Sequence, residues 1–290
     1  MSSVCLGVAA QKTRRFAFDN ELVQLLERTG RVQMWKIVLI ATAFNLLFEY
    51  SMRGINNLRV QPFLPPVLFA TYFTLFTMLE DLIVKYRLKD YHLVVAAFSY
   101  GIVYQCFVSG AAFIPPLIFG INLSGVLFVI LVWWGAIQNV MTFYLANRLA
   151  PRDWNHQRLS KIGWATMLLL NGFMILIFQL FGGVPRGSLR GMVLMTLILA
   201  GGVIAFWKIL PSKKERSLTP EFRYGKLMDY LSVLTVVIFV VCAVFLIFDP
   251  TKHGASRVNW TSTRIVVGWT IVLAVMMLSY RLHSGKPISV

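Results

Sequence analysis

The chain has 290 residues, of which 57% are hydrophobic and 14% charged, with a mean hydropathy of +0.68 and a net charge of +16. A soluble domain is about half apolar and roughly a quarter charged, so an ordinary water-soluble globular protein is excluded. The positive charge does not point to nucleic acid, because the basic residues fall between long apolar runs, where cytoplasmic loops of membrane proteins carry them.

Residues 1–34 read as a cytoplasmic segment. Asp19 is placed to cap a short helix running to Arg31, with Leu22, Val23, Leu25 and Leu26 on its apolar side and Arg28 and Arg31 supplying charge. Such a helix lies in the interfacial plane against anionic lipid, or packs on the cytoplasmic loops. No signal peptide is expected, since the first long apolar run begins only after Lys36. Apolar runs follow near residues 37–52, 66–84, 93–110, 117–147, 162–182, 191–207, 227–248 and 265–280. A hydrocarbon core of roughly 30 Å needs about 20 helical residues. The expected fold is therefore all-α, a polytopic integral membrane protein with eight transmembrane helices: helices 1–4 within 35–150, helices 5–8 within 151–284, and a cytoplasmic tail at 285–290. Of the 28 Lys and Arg residues, 21 fall on the N-terminal side of this threading and 7 on the other. The positive-inside rule then puts both termini in the cytoplasm, and the expected location is the plasma or inner membrane.

The first half carries a partial internal repeat. Phe44-Asn45-Leu46-Leu47-Phe48-Glu49-Tyr50-Ser51-Met52-Arg53-Gly54 aligns with Tyr100-Gly101-Ile102-Val103-Tyr104-Gln105-Cys106-Phe107-Val108-Ser109-Gly110. After a gap, Phe63-Leu64-Pro65-Pro66 aligns with Phe113-Ile114-Pro115-Pro116. Asn45/Gly101, Ser51/Phe107 and Arg53/Ser109 do not match. The alignment predicts two repeated helical hairpins, each with a Pro-Pro pair at the start of its returning helix. The fourth span is longer than the second, which predicts a long, tilted or broken helix, with Gly120 and Gly135 as break points. Returning helices end alike, as in Tyr86-Arg87-Leu88 and Tyr280-Arg281-Leu282, which is what the interface asks of rings and long cations.

Ionisable groups inside a span are costly and usually face the bundle interior or water. Glu49 stands first. It shares a helix face with Asn45, and the repeat sets Gln105 opposite it. Arg53, one turn away, is its competing explanation, as an ion-pair partner at the outer interface. Gln138 and Asn139 lie deep in the fourth span. These five residues, Glu49, Asn45, Gln105, Gln138 and Asn139, form the candidate path for a substrate or ion. Glu80, Asp81 and Asp229 rank second, with Lys85 and Lys226 as the nearest partners in sequence. None of the four histidines lies mid-span and no metal-ligand or nucleophile motif occurs, so no catalytic residue, metal or cofactor is assigned. Asn259-Trp260-Thr261 fits a glycosylation acceptor on the outer face. The leading functional reading is a small transporter or permease with a polar path near Glu49 and Gln105. The alternatives are a membrane-embedded enzyme acting on a lipid or isoprenoid, with Glu80, Asp81 and His92 or His156 converging at the cytoplasmic face, and a non-catalytic subunit of a membrane complex. The expected partners are the bilayer, with anionic lipids on the cytoplasmic side, and further copies or subunits.

Overall fold

The computed structural model describes residues 33–155, 159–181, 184–211, 225–245 and 259–284, with side chains in the last helix through Met277. The N-terminal amphipathic helix, His156, the basic loop 212–224 and His253 lie outside the described residues, as does the side chain of His283. Eight long helices carry the described chain: α1 (residues 33–53), α2 (Leu64–Tyr86), α3 (Asp90–Phe107), α4 (Leu123–Leu149), α5 (Lys161–Phe181), α6 (Leu189–Ile209), α7 (Lys226–Phe245) and α8 (Trp260–Ser284). No strand occurs among the described residues. Six helices, α2 and α4 to α8, are long and apolar enough to cross a membrane. In α3, Asp90, His92, Ser99 and Gln105 dilute the apolar character.

Local chemistry sets the helix starts. Pro65 and Pro66 occupy the first turn of α2, where a missing N–H costs nothing. At four other starts a side-chain oxygen caps a free N–H: Ser160 accepts from Gly163 (3.0 Å), Asn122 from Gly125 (2.9 Å), Ser188 from Gly191 (3.2 Å) and Asn259 from Ser262 (3.0 Å). The Asn259 side chain of the predicted glycosylation acceptor thus serves as the cap of α8.

The helices alternate in direction. At one end, called here the basic end, Gln33 Nε2 donates to the Pro151 carbonyl (2.5 Å), and the Tyr144 hydroxyl, near the end of α4, meets the Gly225 carbonyl before α7 (3.2 Å). At the opposite end, Ile55 N–H donates to the Ala243 carbonyl (2.6 Å), Asn259 N–H to the Met52 carbonyl (3.0 Å), and Gln179 Nε2 to the Phe107 carbonyl. The buried polar residues concentrate in α1 to α4. Helix α5 packs on α2, α6 on α3, and the paired α7 and α8 on α1 and α4. Helices α5 and α6 leave most of their apolar surface exposed, including Leu169, Phe181 and Leu197.

The fourth span is long, as expected, at 27 residues against 23 for the second. It is neither broken nor a plain α-helix: Phe128–Met141 is wound as a π-helix between α-helical ends. Gly120 lies before the helix, and Gly135 sits inside the wide turn, where an added Cβ would stand 3.2 Å from the Ile130 carbonyl oxygen. Asn139 Nδ2 and Thr142 Oγ1 each donate to a carbonyl five residues back, Trp134 (2.8 Å) and Ile137 (3.0 Å). A wide helix takes up residues without adding proportionate length.

The two aligned segments share a helix stop and little else. Gly54 and Gly110 both have positive φ, 75° and 63°, the left-handed geometry that ends a helix. The two Pro-Pro pairs diverge: Pro65 and Pro66 start α2, whereas Pro115 and Pro116 lie in an irregular loop and α4 starts later, at Leu123.

The opposite end is closed by a backbone contact between the loop before α4 and the start of α6. A Cβ on Gly191 would meet the Gly120 carbonyl oxygen at 2.3 Å, whereas one on Gly172, mid-α5, would meet nothing within 4 Å. Gly191→Ala is therefore expected to destabilise by about 1–3 kcal/mol, and Gly172→Ala to be neutral or slightly stabilising. Thermal melting in detergent compares the two.

Candidate functional site

The interior site is built on α4. Its widened stretch turns Trp134, Gln138, Asn139 and Thr142 inward, all buried. The Trp134 ring lies among three tyrosines, with centroids 6.4 Å from Tyr72, 5.3 Å from Tyr100 and 4.9 Å from Tyr104. Gly101 lets α3 come this close, since an added Cβ would stand 3.3 Å from the indole. Each tyrosine hydroxyl is tied to an amide, as buried hydroxyls must be. Tyr72 receives Gln138 Nε2 (3.0 Å), Tyr100 receives Asn139 Nδ2, and Tyr104 receives Asn171 Nδ2 (2.9 Å). Asn171 Nδ2 also reaches Thr74 Oγ1 (3.0 Å), joining α5 to α2.

Glu49 opens this network to the opposite end. Its Oε2 accepts from Arg53 Nε at 3.3 Å, so the ion pair expected from the i,i+4 spacing is present. Its Oε1 accepts from the Tyr72 hydroxyl at 2.6 Å, and Tyr72 in turn accepts from Gln138. A continuous chain of polar contacts therefore runs from Arg53, 25% exposed, through Glu49, 14% exposed, to the wholly buried Gln138. Asn45, one turn inward of Glu49, donates to Thr142 Oγ1 (3.1 Å) and to the Ala41 carbonyl (2.9 Å).

The predicted path residues divide. Glu49 and Gln138 are joined through Tyr72, and Asn45 is joined to α4 through Thr142. Asn139 turns to Tyr100 on α3. Gln105 is buried in the last turn of α3 and accepts from Ser109 (3.4 Å), and no hydrogen bond joins it to Glu49. Tyr72 and Trp134, which hold the arrangement together, were not singled out from sequence; a tyrosine in mid-span is the signal that could have flagged Tyr72.

At the basic end the three second-rank acids have partners that their neighbours in sequence did not suggest. Glu80 forms a two-pronged ion pair with Arg152 from the α4–α5 loop, Nε–Oε1 2.7 Å and Nη2–Oε2 2.8 Å, and both side chains are excluded from solvent. The Arg152 guanidinium also lies over the Phe143 and Trp154 rings, and Arg87 covers Trp154 as well. Asp81 accepts from Leu159 N–H (2.7 Å) and the Trp164 indole (2.8 Å). Asp229 accepts from Tyr144 (2.6 Å) and pairs with Arg148 (3.3 Å). His92 is fully buried: Nδ1 accepts from Lys89 N–H (2.9 Å) and Nε2 faces the Ile209 carbonyl (3.0 Å). Because Nδ1 is the acceptor, the proton belongs on Nε2 and the ring ties α3 to α6. A groove of about 390 Å³ between α2 and α5 is lined by Asp81, Lys85, Leu159, Lys161, Trp164, Ala165 and Leu168. No cluster of three or more His, Cys, Asp or Glu side chains able to hold a metal occurs among the described residues.

Comparison with protein-family models, curated proteins and solved structures finds no match for this chain. The chemistry of these residues is therefore the ground for a functional reading.

The Glu80–Arg152 pair has a clear energetic signature. Removing one partner strands a buried charge, so Arg152→Ala is expected to cost about 3–5 kcal/mol, while replacing both residues with methionine recovers most of that loss. Chemical denaturation of the wild type, the single and the double variant measures the difference.

Proposed function

We propose that the chain is an eight-span membrane transporter for a small polar or cationic solute, with Glu49 at the mouth of its path. The observation that carries the reading is the Glu49–Tyr72–Gln138 chain: a carboxylate near one end of the bundle, continued by hydrogen bonds into a fully enclosed polar layer. A polar group in lipid must find an internal partner, and polar interiors of this kind commonly mark solute or ion pathways. On this reading the Glu49–Arg53 pair guards the outer mouth, and Gln105 stands at the same end of the bundle. The Glu80–Arg152 pair, with Phe76 and Phe143 packed edge to face beside it, seals the basic end. The basic end is cytoplasmic, both termini lie there in the plasma or inner membrane, and anionic lipids meet Lys85 and Lys161 at the groove.

An enzyme draws less support. Both carboxylate oxygens of Glu80 and of Asp81 and both ring nitrogens of His92 are already engaged in holding helices and loops together.

Transport is tested in proteoliposomes on a supported membrane, with currents recorded after jumps in pH and in a panel of small solutes. The wild type is expected to give pH-dependent currents. Glu49→Gln is expected to melt within a few degrees of the wild type and to lose the pH dependence. Full pH-dependent currents in that variant remove Glu49 from the mechanism, and a wild type silent to every gradient removes the transport reading. Tags at the two termini are expected to be accessible from the same face; labelling from opposite faces would sink the eight-span threading.

A further inference from the structure

We infer that the groove between α2 and α5 at the basic end binds one anionic phospholipid, its phosphate between Lys85 and Lys161 and an acyl chain running along α5 past Leu168. This deepens the anionic-lipid part of the proposed function; it rests on the membrane placement of α2 and α5 and not on transport.

Asp81 builds the groove. It is 1% exposed, and its two carboxylate oxygens accept from the Leu159 N–H (2.7 Å) and from the Trp164 indole N–H (2.8 Å). These bonds fix the start of α5 against α2 while leaving about 390 Å³ between them, a volume within the range of small-molecule sites. They also commit both oxygens of the one carboxylate that lines the groove among the described residues. Lys85 follows Asp81 by four residues, the spacing of a helical ion pair, but the two do not pair. Lys161, on the other wall, has no ion-pair partner among the described residues either. Both lysine side chains are exposed. Two cations therefore share one groove without a counter-charge.

Basic residues at this end are expected of any such protein, and Lys85, in the last turn of α2, suits its helix end. Lys161 does not. It is the first residue of α5, where the helix dipole is positive, and that first turn holds no acidic residue. A cation is disfavoured there by the dipole and by Lys85, whereas an anion in the groove is favoured by the dipole and both lysines.

The apolar part of the groove selects a lipid over a free phosphate. Lys161, Trp164, Ala165 and Leu168 are spaced i, i+3, i+4 and i+7, on one stripe of α5 that lines the groove. Read inward, the stripe runs from a cation through an aromatic ring to aliphatic side chains, the order of headgroup, interface and acyl chain in a leaflet. Gly172 continues it four residues on, and a Cβ there would meet nothing within 4 Å, so no side chain of α5 blocks the lane. Inorganic phosphate would engage the lysines and leave this lane unused. Basic pockets between spans on the cytoplasmic side hold anionic headgroups in the same way.

The test is lipid binding to the purified full-length protein in neutral detergent, counted by native mass spectrometry with phosphatidylglycerol and phosphatidylcholine of the same acyl chains, beside melting curves. Wild type is expected to take its first phosphatidylglycerol about tenfold or more tightly than its first phosphatidylcholine. The double variant Lys85→Gln, Lys161→Gln is expected to lose most of that preference. Without added lipid it should melt within a few degrees of wild type, since both side chains are exposed and outside any ion pair. A second double variant, Lys36→Gln with Lys208→Gln, removes the same charge from exposed positions at the same end but outside the groove, and is expected to keep the preference. No phosphatidylglycerol preference in the wild type overturns the site. Equal loss in the two double variants reveals a diffuse basic surface and also overturns it. Inorganic phosphate at equal concentration is expected to leave melting unchanged; a rise matching that from phosphatidylglycerol overturns the lipid as occupant. None of these readings uses a solute gradient. A silent transport assay therefore leaves the lipid site standing, and loss of the lipid preference leaves the transport reading standing.

Discussion

The polar interior depends on how α4 is wound. Over Phe128–Met141 its backbone takes the π form, and the wider turn lets residues four and five apart share an inward face. Trp134, Gln138, Asn139 and Thr142 all point into the bundle as a result. A regular α-helix of the same sequence would distribute these side chains differently and expose some of the amides to lipid, where an unpaired polar group costs several kcal/mol. The partners on α1, α2 and α3 are ordered around that face. Tyr72, Tyr100 and Tyr104 surround Trp134, and their hydroxyls receive amides from α4 and α5. π-Helical turns recur at functional sites, and this one lies beside the buried oxygens of Asn45 and Gln138.

The two ends of the bundle are closed by different physics. At the basic end the closure is ionic and aromatic. Arg152 reaches in from a loop, meets Glu80 with two parallel hydrogen bonds, and lies on Phe143 and Trp154. Such a contact is specific but brittle, since either charge alone is stranded in a dry site. At the opposite end the closure is steric, with Gly120 and Gly191 allowing backbone to touch backbone. The Glu49–Arg53 pair at that end is looser, 3.3 Å and partly exposed. An ion pair in contact with water is worth little, so this pair adds less to the closure of its end than Glu80–Arg152 adds at the basic end.

Much of the fold was legible along the chain. Each predicted apolar run overlaps one of the eight helices, and α2 starts at Pro65 and Pro66 as their chemistry indicates, whereas α4 starts at Leu123 behind Asn122, past the Pro115-Pro116 pair expected to open it. Glu49 and Arg53 paired as their spacing indicates. The candidate site was legible in its members more than in its connections. Asn45, Glu49, Gln138 and Asn139 were visible as polar residues in apolar runs, but Gln105, aligned with Glu49 by sequence resemblance, bonds Ser109 instead. The matching Pro-Pro pairs likewise took different structures, because a proline pair permits a helix start without compelling one.

The sequence by itself determined which stretches are apolar enough to leave water and which polar side chains travel with them. These are local properties, sums over a turn or a span of about 20 residues. Tertiary structure alone decided the partners. Glu80 took Arg152, 72 positions away, over nearby Lys85; Asp229 took Tyr144 and Arg148; and Tyr72 joined Glu49 to Gln138. Those choices follow from which helix faces meet, and an apolar run carries no record of that: lipid accepts any apolar face equally, and only packing against other helices makes one face the inside.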